Sequence, residues 1–257
     1  MDFTGDFTIT TFLIFIGVGF IAQMIDGALG MAYGVSSNTF LLSVGVPPAV
    51  ASACVHIAEV VTTGISGITH WKLGNVDKET FKKLIIPGVL GGIAGAYLLT
   101  AIDGNIIKPY VSIYLIIMGF VILWKALSSI TKEGKPIPWI APLGLVGGFC
   151  DAIGGGGWGP VVTTTLVAQG KHPRFSIGSV NSSEFFVTFA ESVTFLLTLG
   201  GLLTNWPIFV GLLIGGAVAA PLAAFVTKHL PIRLLMGMVG ILIIGLSIRT
   251  LLLIYAK

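Results

Sequence analysis

Long apolar runs separated by short polar stretches divide the chain into ten segments, five in each half. In the first half these segments are residues 9–25, 29–44, 49–68, 84–101 and 110–127. In the second half they are residues 137–150, 160–168, 175–199, 207–226 and 232–255. A helix that crosses a membrane needs about 20 mainly apolar residues, so the pattern predicts an all-α integral membrane protein. The first two segments of each half are too short to cross, and we expect each pair to form a helical hairpin or two short, tilted spans.

Glycine-rich turns are predicted between the two short segments of each half. They fall at residues 27–30 and at residues 154–157, where four glycines follow one another. Each glycine destabilises a helix interior by about 1 kcal/mol relative to alanine. Because non-helical backbone at membrane depth is tolerated only where it is buried or lines a cavity, both turns indicate an internal site.

The second half of the chain repeats part of the first. A shift of 125 residues places Asp26 on Asp151 and Glu59 on Glu184, and ten of the 38 positions from 26 to 63 are identical. Glycines and prolines recur through membrane composition alone, but two acidic residues that recur in register inside apolar sequence indicate an internal duplication. Such a duplication is typical of transporters.

The duplication divides the chain into a first repeat (1–128), a cytoplasmic linker (129–136) and a second repeat (137–257). A hairpin returns the chain to its starting side, and three further segments then cross the membrane. Each repeat therefore crosses an odd number of times. This parity predicts two inverted-topology repeats, each made of a glycine-turn hairpin and three transmembrane helices, as is common in secondary transporters.

Composition excludes a soluble domain. Hydrophobic residues make up 54% of the chain and charged residues 10%, whereas soluble domains carry about 25% charged residues. So few charges cannot cover a water-facing surface, which predicts a multi-pass protein of the cytoplasmic membrane in contact with the lipid bilayer. The net charge of +3 does not indicate nucleic-acid binding, because the basic residues are scattered through short loops.

Loop charges predict the orientation. With the segments alternating between the two sides, one side collects eleven cationic residues and the other collects three. The larger set is Lys72, Lys78, Lys82, Lys83, Lys125, Lys132, Lys135, Lys171, Arg174, Lys228 and Arg233. The smaller set is Lys108, Arg249 and Lys257. The side rich in Lys and Arg is the cytoplasmic one in membrane proteins, so we expect both termini outside the cytoplasm.

Five acidic side chains lie in apolar sequence. They are Asp26, Glu59, Asp151, Glu184 and Glu191. An ionisable group at mid-membrane costs about 2.5–3.5 kcal/mol on insertion scales, which makes each one a candidate for function. Because the first four recur in the repeat, we assign Asp26, Glu59, Asp151 and Glu184 to ion coupling; Glu191 aligns with Ser66 and lacks an acidic counterpart.

Polar residues near the turns and on the two longer helices are candidates for binding substrate. His56 lies three residues before Glu59 and shares its helical face, and Asn181 holds the same place before Glu184. The candidate substrate-binding residues are Ser36, Ser37, Asn38, His56, Gly155, Gly156, Thr163, Asn181 and Ser182. Helix starts that open with glycine offer free N–H groups and the positive end of the helix dipole, so they favour a small anion as substrate.

A buried carboxylate beside an anion is a physical conflict, because like charges repel strongly at low dielectric. The conflict disappears if the carboxyl group is protonated, or binds a cation, while the anion is present, and burial favours the neutral form. We therefore expect anion movement coupled to protons through Glu59 and Glu184, with His56 as an additional titrating group. Asp26 and Asp151 have a structural alternative, since each could cap a helix end at its turn.

Two other functions stay open at this point. The chain could carry a cation or divalent metal, with His56, Glu59, Asp26 and Glu184 as direct ligands. It could also be a membrane-embedded enzyme or an assembly partner. Neither a catalytic set, a zinc-binding spacing nor a Walker sequence is present, so we predict no enzyme, no cofactor and no resident metal. The possibility of a homo-oligomer stays open.

Four features together resemble the TauE/SafE sulfite-exporter family, also called the toluene sulfonate uptake permease family. They are IGGGG at 153–157 followed by Pro160, GVPPAVA at 45–51, GNVD at 74–77, and the two-fold repeat. The resemblance implies transport, without ATP, of sulfite, sulfonates, sulfoacetate or other small sulfur-containing or carboxylate anions.

The chain departs from the family pattern near the predicted site. The glycine run of the first half becomes GALGMAYG at 27–34, and the small-residue stretches become ACVH at 53–56 and GSVN at 178–181. Glu59 and Glu184 are additions to the pattern. The exact substrate is therefore the inference that transfers least.

Overall fold

Ten α-helices follow one another along the chain in this computed structural model, which describes residues 8–29, 31–128, 138–169, 171–226 and 232–256. The first half holds α1 (Ile9–Leu29), α2 (Tyr33–Ser43), α3 (Pro48–Lys72), α4 (Lys78–Ala101) and α5 (Gly104–Leu127). The second half holds α6 (Ile140–Gly154), α7 (Thr164–Ala168), α8 (Pro173–Thr198), α9 (Trp206–Val226) and α10 (Ile232–Tyr255). Within the described ranges there is no strand, which confirms the all-α prediction. The predicted linker, 129–136, lies outside the described residues.

Within the residues that the structure describes, six helices are long and apolar enough to cross a membrane. They are Ile9–Asp26, Pro48–Lys72, Lys78–Ala101, Gly104–Leu127, Leu202–Ala220 and Met236–Tyr255. The protein is therefore a multi-pass membrane protein. The 26-residue α8 is long enough but carries serines, an asparagine and two glutamates along its length, so it lies outside this set.

The prediction of short first segments is wrong for the first half. α1 has 21 residues and continues through Leu29, so residues 27–29 of the predicted turn are helical, and Gly30 lies outside the described residues. Alanine and leucine are the strongest helix formers, so Ala28 and Leu29 extend the helix past Gly27. The 15-residue α6 and the 11-residue α2 are short, as predicted.

The glycine turn of the second half has the predicted position. α6 ends at Gly154, and Gly155 and Gly156 follow with φ values of 63° and 145°. Side chains rarely adopt such a backbone, whereas glycine adopts it freely. A π-helical turn, Gly159–Thr163, then leads into α7.

Small residues allow the helices to approach closely. α1 packs on α9 and α6 packs on α4. A β-carbon on Gly19 would meet the backbone of Leu212, and one on Gly148 would meet the backbone of Gly88. Without a hydrophobic driving force in lipid, this kind of close backbone packing holds helices together.

The third helices of the two halves, α3 and α8, pack on each other and run antiparallel. His56 of α3 lies near Glu191, and Gly67 lies near Ser182, so position numbers rise along α3 as they fall along α8. The fifth helices, α5 and α10, also pack on each other. The third and the fifth helices therefore each meet their counterpart in the other half, whereas α1 packs on α9 and α4 packs on α6.

The GNVD stretch at 74–77 connects α3 to α4 and makes hydrogen bonds to the second half. The Asp77 carboxylate accepts hydrogen bonds from the Glu79 amide, which caps the start of α4, and from Lys171 of the second half at 3.2 Å. The Asp77 amide donates to Ser179 at 2.8 Å, and Arg174 donates to Asn75. The motif thus fixes the α3–α4 connection against the start of α8.

Candidate functional site

One small cavity brings together the four acidic residues of the repeat. Asp26, Glu59, Asp151 and Glu184 all line it. Its volume is about 10 Å³, which is room for about one water molecule. Two of these carboxyl groups come from each half, so the structure brings together the four acidic residues that recur in the repeat, and their role in ion coupling stays a prediction.

Further lining comes from Tyr33 of α2 and from the backbone of the turn that contains Gly156 and Gly157. The Glu59 side chain is buried, whereas those of Asp26 and Glu184 are half-buried. The cavity is therefore bounded by charged side chains on several sides and by glycine backbone on another.

Asp151 caps the turn in the way that the structural alternative predicts. Its Oδ1 accepts hydrogen bonds from the amides of Gly157 at 2.5 Å and Trp158 at 2.8 Å. Asp26 accepts one from the amide of Tyr33 at 3.4 Å. Because Tyr33 corresponds to Trp158 in the repeat, the two halves make the same contact, and the contact is looser in the first half.

The capping contact changes the expectation that these amides are free to bind an anion. The amides of Gly157 and Trp158 already donate to Asp151, and the Gly156 amide donates to the Asp151 carbonyl at 3.0 Å. An anion would have to displace the Asp151 carboxylate from these donors. The glycine turn is therefore occupied by the protein's own negative charge in this structure.

His56 is oriented by its own helix. Its Nδ1 lies 2.7 Å from the carbonyl oxygen of Ser52 and 3.2 Å from the Ser52 hydroxyl oxygen. That hydroxyl donates to the carbonyl of Ala152 at 2.6 Å, so both neighbours of Nδ1 act as acceptors. Nδ1 therefore carries the proton, and the other nitrogen, Nε2, points away from Ser52.

His56 Nε2 faces two carboxylates. It lies 2.9 Å from Glu191 Oε2 and 3.6 Å from Asp151 Oδ2. The three residues are 0%, 0% and 1% exposed for His56, Glu191 and Asp151. Although these distances suit ion pairs, Nε2, Asp151 Oδ2 and both Glu191 oxygens lack a well-aligned hydrogen bond among the described residues. We call these three side chains the His56 cluster.

Sequence reasoning missed the pairing of His56 with Glu191, because the pairing depends on how α3 faces α8, but the structure contains an equivalent pair in the other half. The shift of 125 residues turns His56 into Asn181 and Glu191 into Ser66. Asn181 and Ser66 are also in contact, with Asn181 Nδ2 donating to Ser66 Oγ at 3.2 Å. The two pairs occupy equivalent places, one charged and one neutral.

The polar residues of α2 lie beside the glycine turn. The side-chain amide of Asn38 donates to the Gly154 carbonyl at 2.5 Å and packs against Gly155. Ser36 and Ser37 of the same helix have buried hydroxyl oxygens with no hydrogen-bond partner among the described residues. Unpaired buried polar atoms are costly, so α2 offers hydrogen-bonding capacity that the observed state does not use.

Thr163, on the π-helical turn that follows the glycine turn, has the same property: it is fully buried and its hydroxyl is unpaired in the described part of the chain. The structure therefore places Asn38 and Gly155 in contact and Gly156 on the cavity wall. A role for these residues in binding substrate stays a prediction.

Asn181 and Ser182 lie elsewhere. Asn181 donates to Ser66, and the Ser182 hydroxyl donates to the carbonyl of Gly178 at 2.7 Å. Neither residue is among those that line the four-carboxylate cavity. The structure does not bring these two residues together with the acidic residues.

Comparison with known proteins agrees with this architecture. Residues 15–250 match the family described as "Sulfite exporter TauE/SafE". The chain is also similar to the "Probable membrane transporter protein YtnM" of Bacillus subtilis (strain 168), with 44% identity over 246 residues that cover 93% of this chain and 82% of that protein. No solved structure matches the chain. The family match spans most of the chain, including both halves and the acidic cavity, and on this basis the chain belongs to the TauE/SafE sulfite-exporter family of membrane transporters.

Proposed function

We propose that this protein is a secondary active transporter that moves a small anion across the cytoplasmic membrane with coupling to protons. The expected cargo is sulfite, an organosulfonate or a related sulfur compound, because the family that the chain matches is named for sulfite export. The observation that carries the proposal is the meeting of four carboxyl groups, two from each half, at one small cavity beside a glycine turn.

Coulomb repulsion explains why protons are needed. Two like charges 4 Å apart repel by about 4 kcal/mol at an effective dielectric of about 20, so an anion among four ionised carboxylates is strongly disfavoured. Protonation of Glu59 and Glu184 removes two of these charges. The other ionisable groups that face this pair are Asp26, Tyr33, His56, Asp151 and Glu191. Proton binding therefore precedes or accompanies anion binding.

The cavity must enlarge for transport. A volume of about 10 Å³ does not hold a sulfur oxyanion, so the side chains around the cavity must move apart before the anion can bind. In transporters with inverted repeats, one unit rocks against the other around a central site. The antiparallel packing of α3 on α8, the corresponding helices of the two halves, supports this arrangement here.

Contacts between loops support the proposed division of the connections between the two sides of the membrane. The connections predicted to be cytoplasmic touch each other through Asp77 and Lys171. The connections predicted to be extracytoplasmic also meet: Arg249 donates to the carbonyl of Ser43 at 2.7 Å, and one cavity of about 530 Å³ is lined by both Gly45 and Asn105. These groupings are the ones that the alternating arrangement requires, and the excess of Lys and Arg on one side is the reason for placing the termini outside.

A cation or divalent-metal transporter is the second candidate, and the His56 cluster is the observation that favours it. One ligand atom from each of its three residues lies within 4.8 Å of the others. This set shares only His56 with the predicted ligands, because Asp26, Glu59 and Glu184 lie at the cavity and not in the cluster. Competition between sulfur anions and divalent metals for binding separates the two candidates.

Uptake of radiolabelled sulfite into proteoliposomes tests the proposal directly. We expect uptake by the purified full chain that is faster with an imposed pH gradient and is reduced by excess unlabelled sulfonate. Empty liposomes and liposomes with heat-denatured protein are the controls. Absence of uptake for sulfite and for a panel of sulfonates, combined with uptake of a divalent metal, would replace the first candidate by the second.

A further inference from the structure

We propose that the His56 cluster is a binding site for a divalent first-row transition-metal ion that stays with the protein. His56, Asp151 and Glu191 would supply one ligand atom each. The ion would place positive charge next to the acidic cavity, where the anion must bind. That role toward the anion rests on the proposed function above, whereas binding of the ion does not.

The tautomer that the hydrogen bonds of His56 favour is the first argument. Because Nδ1 donates to the Ser52 carbonyl, the neutral ring presents a lone pair at Nε2. Metal-binding histidines usually donate their other ring N–H to a carbonyl or carboxylate in this way, which fixes the tautomer and the ring orientation. The ring is therefore preset to bind a cation through Nε2.

The second argument is that three acceptors face one another. Nε2, Asp151 Oδ2 and the Glu191 carboxylate meet in a fully buried place where none of them has an aligned donor among the described residues. Buried charges are found paired or bound to metals, because an isolated one costs far more than a hydrogen bond returns. A cation at the centre satisfies all three groups at once.

Charge and distance suit a divalent ion. Its two positive charges balance the carboxylates of Asp151 and Glu191 and leave the ring of His56 neutral. Bonds of about 2.0–2.2 Å in a tetrahedral site place ligand atoms about 3.4 Å apart. The observed separations from Nε2, 2.9 Å to Glu191 and 3.6 Å to Asp151, lie on both sides of that value. Imidazole with carboxylates is a donor set that suits Mn²⁺ or Zn²⁺.

The third argument comes from the other half of the chain. The equivalent contact there is the neutral pair Asn181 and Ser66. Packing of α3 on α8 at this place therefore does not require charged side chains. Only the His56–Glu191 pair carries an imidazole and a carboxylate, which indicates a ligand there. The equivalent Asn181–Ser66 pair lacks these metal-binding groups.

Asp151 connects the cluster with the cavity. Its Oδ2 faces His56, while its Oδ1 holds the amides of Gly157 and Trp158. An ion bound to Oδ2 withdraws negative charge from Oδ1 and so weakens its hold on those amides. The turn then becomes available to an anion, which links occupancy of the cluster to the anion site.

Binding of Mn²⁺ to the purified full chain, stripped with chelator and kept free of sulfur anions, tests the proposal. Loss of the electron paramagnetic resonance signal of free Mn²⁺ measures the number of ions bound and their affinity. We expect about one ion per chain, displaced by Zn²⁺, which binds such sites more tightly. Glu191→Gln and His56→Gln should each weaken binding at least about tenfold, since loss of even a ligand's hydrogen-bond partner has that effect.

Two matched controls remove the same side-chain types elsewhere. Glu79→Gln removes an exposed carboxylate paired with Lys83, and His70→Gln removes a half-buried imidazole. Both should bind Mn²⁺ as the wild type does. Pulsed measurements on the wild type give a readout that needs no variant, because one imidazole nitrogen should couple to the bound ion.

Absence of a bound ion in the wild type, absence of nitrogen coupling, or equal affinity in Glu191→Gln would overturn the metal site. Anion flux is measured separately. Binding of Mn²⁺ without any sulfite or sulfonate flux would support the site while removing the proposed function, and flux without bound ion would do the reverse.

Discussion

The hydroxyl oxygens of Thr63 and Thr188 lie 3.5 Å apart, and the two residues occupy the same position in the two halves of the chain. The contact lies where α3 packs on α8, so equivalent positions of the two repeated segments meet there. Relative movement of the two halves must change the surroundings of this pair.

A disulfide between these positions should stop that movement. In a background with Cys54→Ala and Cys150→Ala, the double variant Thr63→Cys/Thr188→Cys should form a disulfide on oxidation, because the two side chains are within reach of one another. We expect sulfite uptake to fall to background after oxidation and to return after reduction. Mass spectrometry of the linked peptides checks the bond.

The single variants Thr63→Cys and Thr188→Cys are the controls for this experiment, and oxidant should leave their uptake unchanged. Failure of the double variant to form the bond would contradict the placement of α3 against α8. Full uptake with the bond formed would contradict the movement of the halves at this contact.

Close packing of α4 on α6 gives a second prediction. A β-carbon on Gly148 would meet the carbonyl oxygen of Gly88, so Gly148→Ala must push the helices apart. Overpacking of this kind costs typically about 1–3 kcal/mol, which corresponds to a fall in Tm of about 5 °C in a chain of this size. Thermal unfolding in detergent measures the change.

Gly245→Ala is the matched control, because nothing lies within 4 Å of a β-carbon built there. Alanine is also the better helix former, so its Tm should equal or exceed that of the wild type. Equal Tm values for the two variants would show that α4 and α6 are not in backbone contact at Gly148.

The stability of the contact between Asp77 and Lys171 should depend on pH. Partial burial alone raises the pKa of the Asp77 carboxyl, but hydrogen bonds from Thr80 and Lys171, the charge of Lys171 and the Glu79 amide together lower this pKa below its ordinary value. Because the pKa is lower in the folded protein, the stabilisation is present above the pKa of the unfolded chain. It is lost as the pH falls through the pKa of the folded protein.

Asp77→Asn isolates this effect, because asparagine also caps helices well but cannot form the ion pair with Lys171. We expect the variant to be less stable than the wild type at neutral pH by about 1 kcal/mol or less, as for partly exposed pairs. The difference in Tm should shrink as the pH falls below the ordinary pKa of an aspartate and should vanish below the lowered pKa of Asp77 in the folded protein. A difference that persists at acid pH would show that the carboxylate charge is not its cause.

The repeat identified the four acidic residues as candidates from sequence, and the structure brings them to one cavity. Asp26 and Asp151, like Glu59 and Glu184, lie in register, and a common centre for two related halves brings all four together. The contact between His56 and Glu191 could not be predicted in the same way, because it depends on which residues of α3 and α8 face each other when the helices run antiparallel. Only the three-dimensional register determines that.

The sequence also did not determine where α1 ends or which helix the Asn181 side chain contacts. The apolar run of α1 stops at Ile25, yet the helix continues because Asp26 is held by the Tyr33 amide and the following residues are helix formers. Asn181 precedes Glu184 by three residues, which predicted a shared face, but a hydrogen bond to Ser66 fixes its side chain on α3. A spacing of three residues places two side chains near one face of a helix, but it does not determine which neighbouring helix each side chain contacts.

We propose that Glu59 and Glu184 carry the protons that accompany the anion. The most direct measurement is sulfite uptake into proteoliposomes across a series of pH gradients, for the wild type and for Glu59→Gln/Glu184→Gln, with internal pH recorded at the same time. We expect uptake with proton movement in the wild type, and uptake without pH dependence or proton movement in the double variant. A pH dependence of uptake that is the same in the double variant as in the wild type would contradict this role of Glu59 and Glu184.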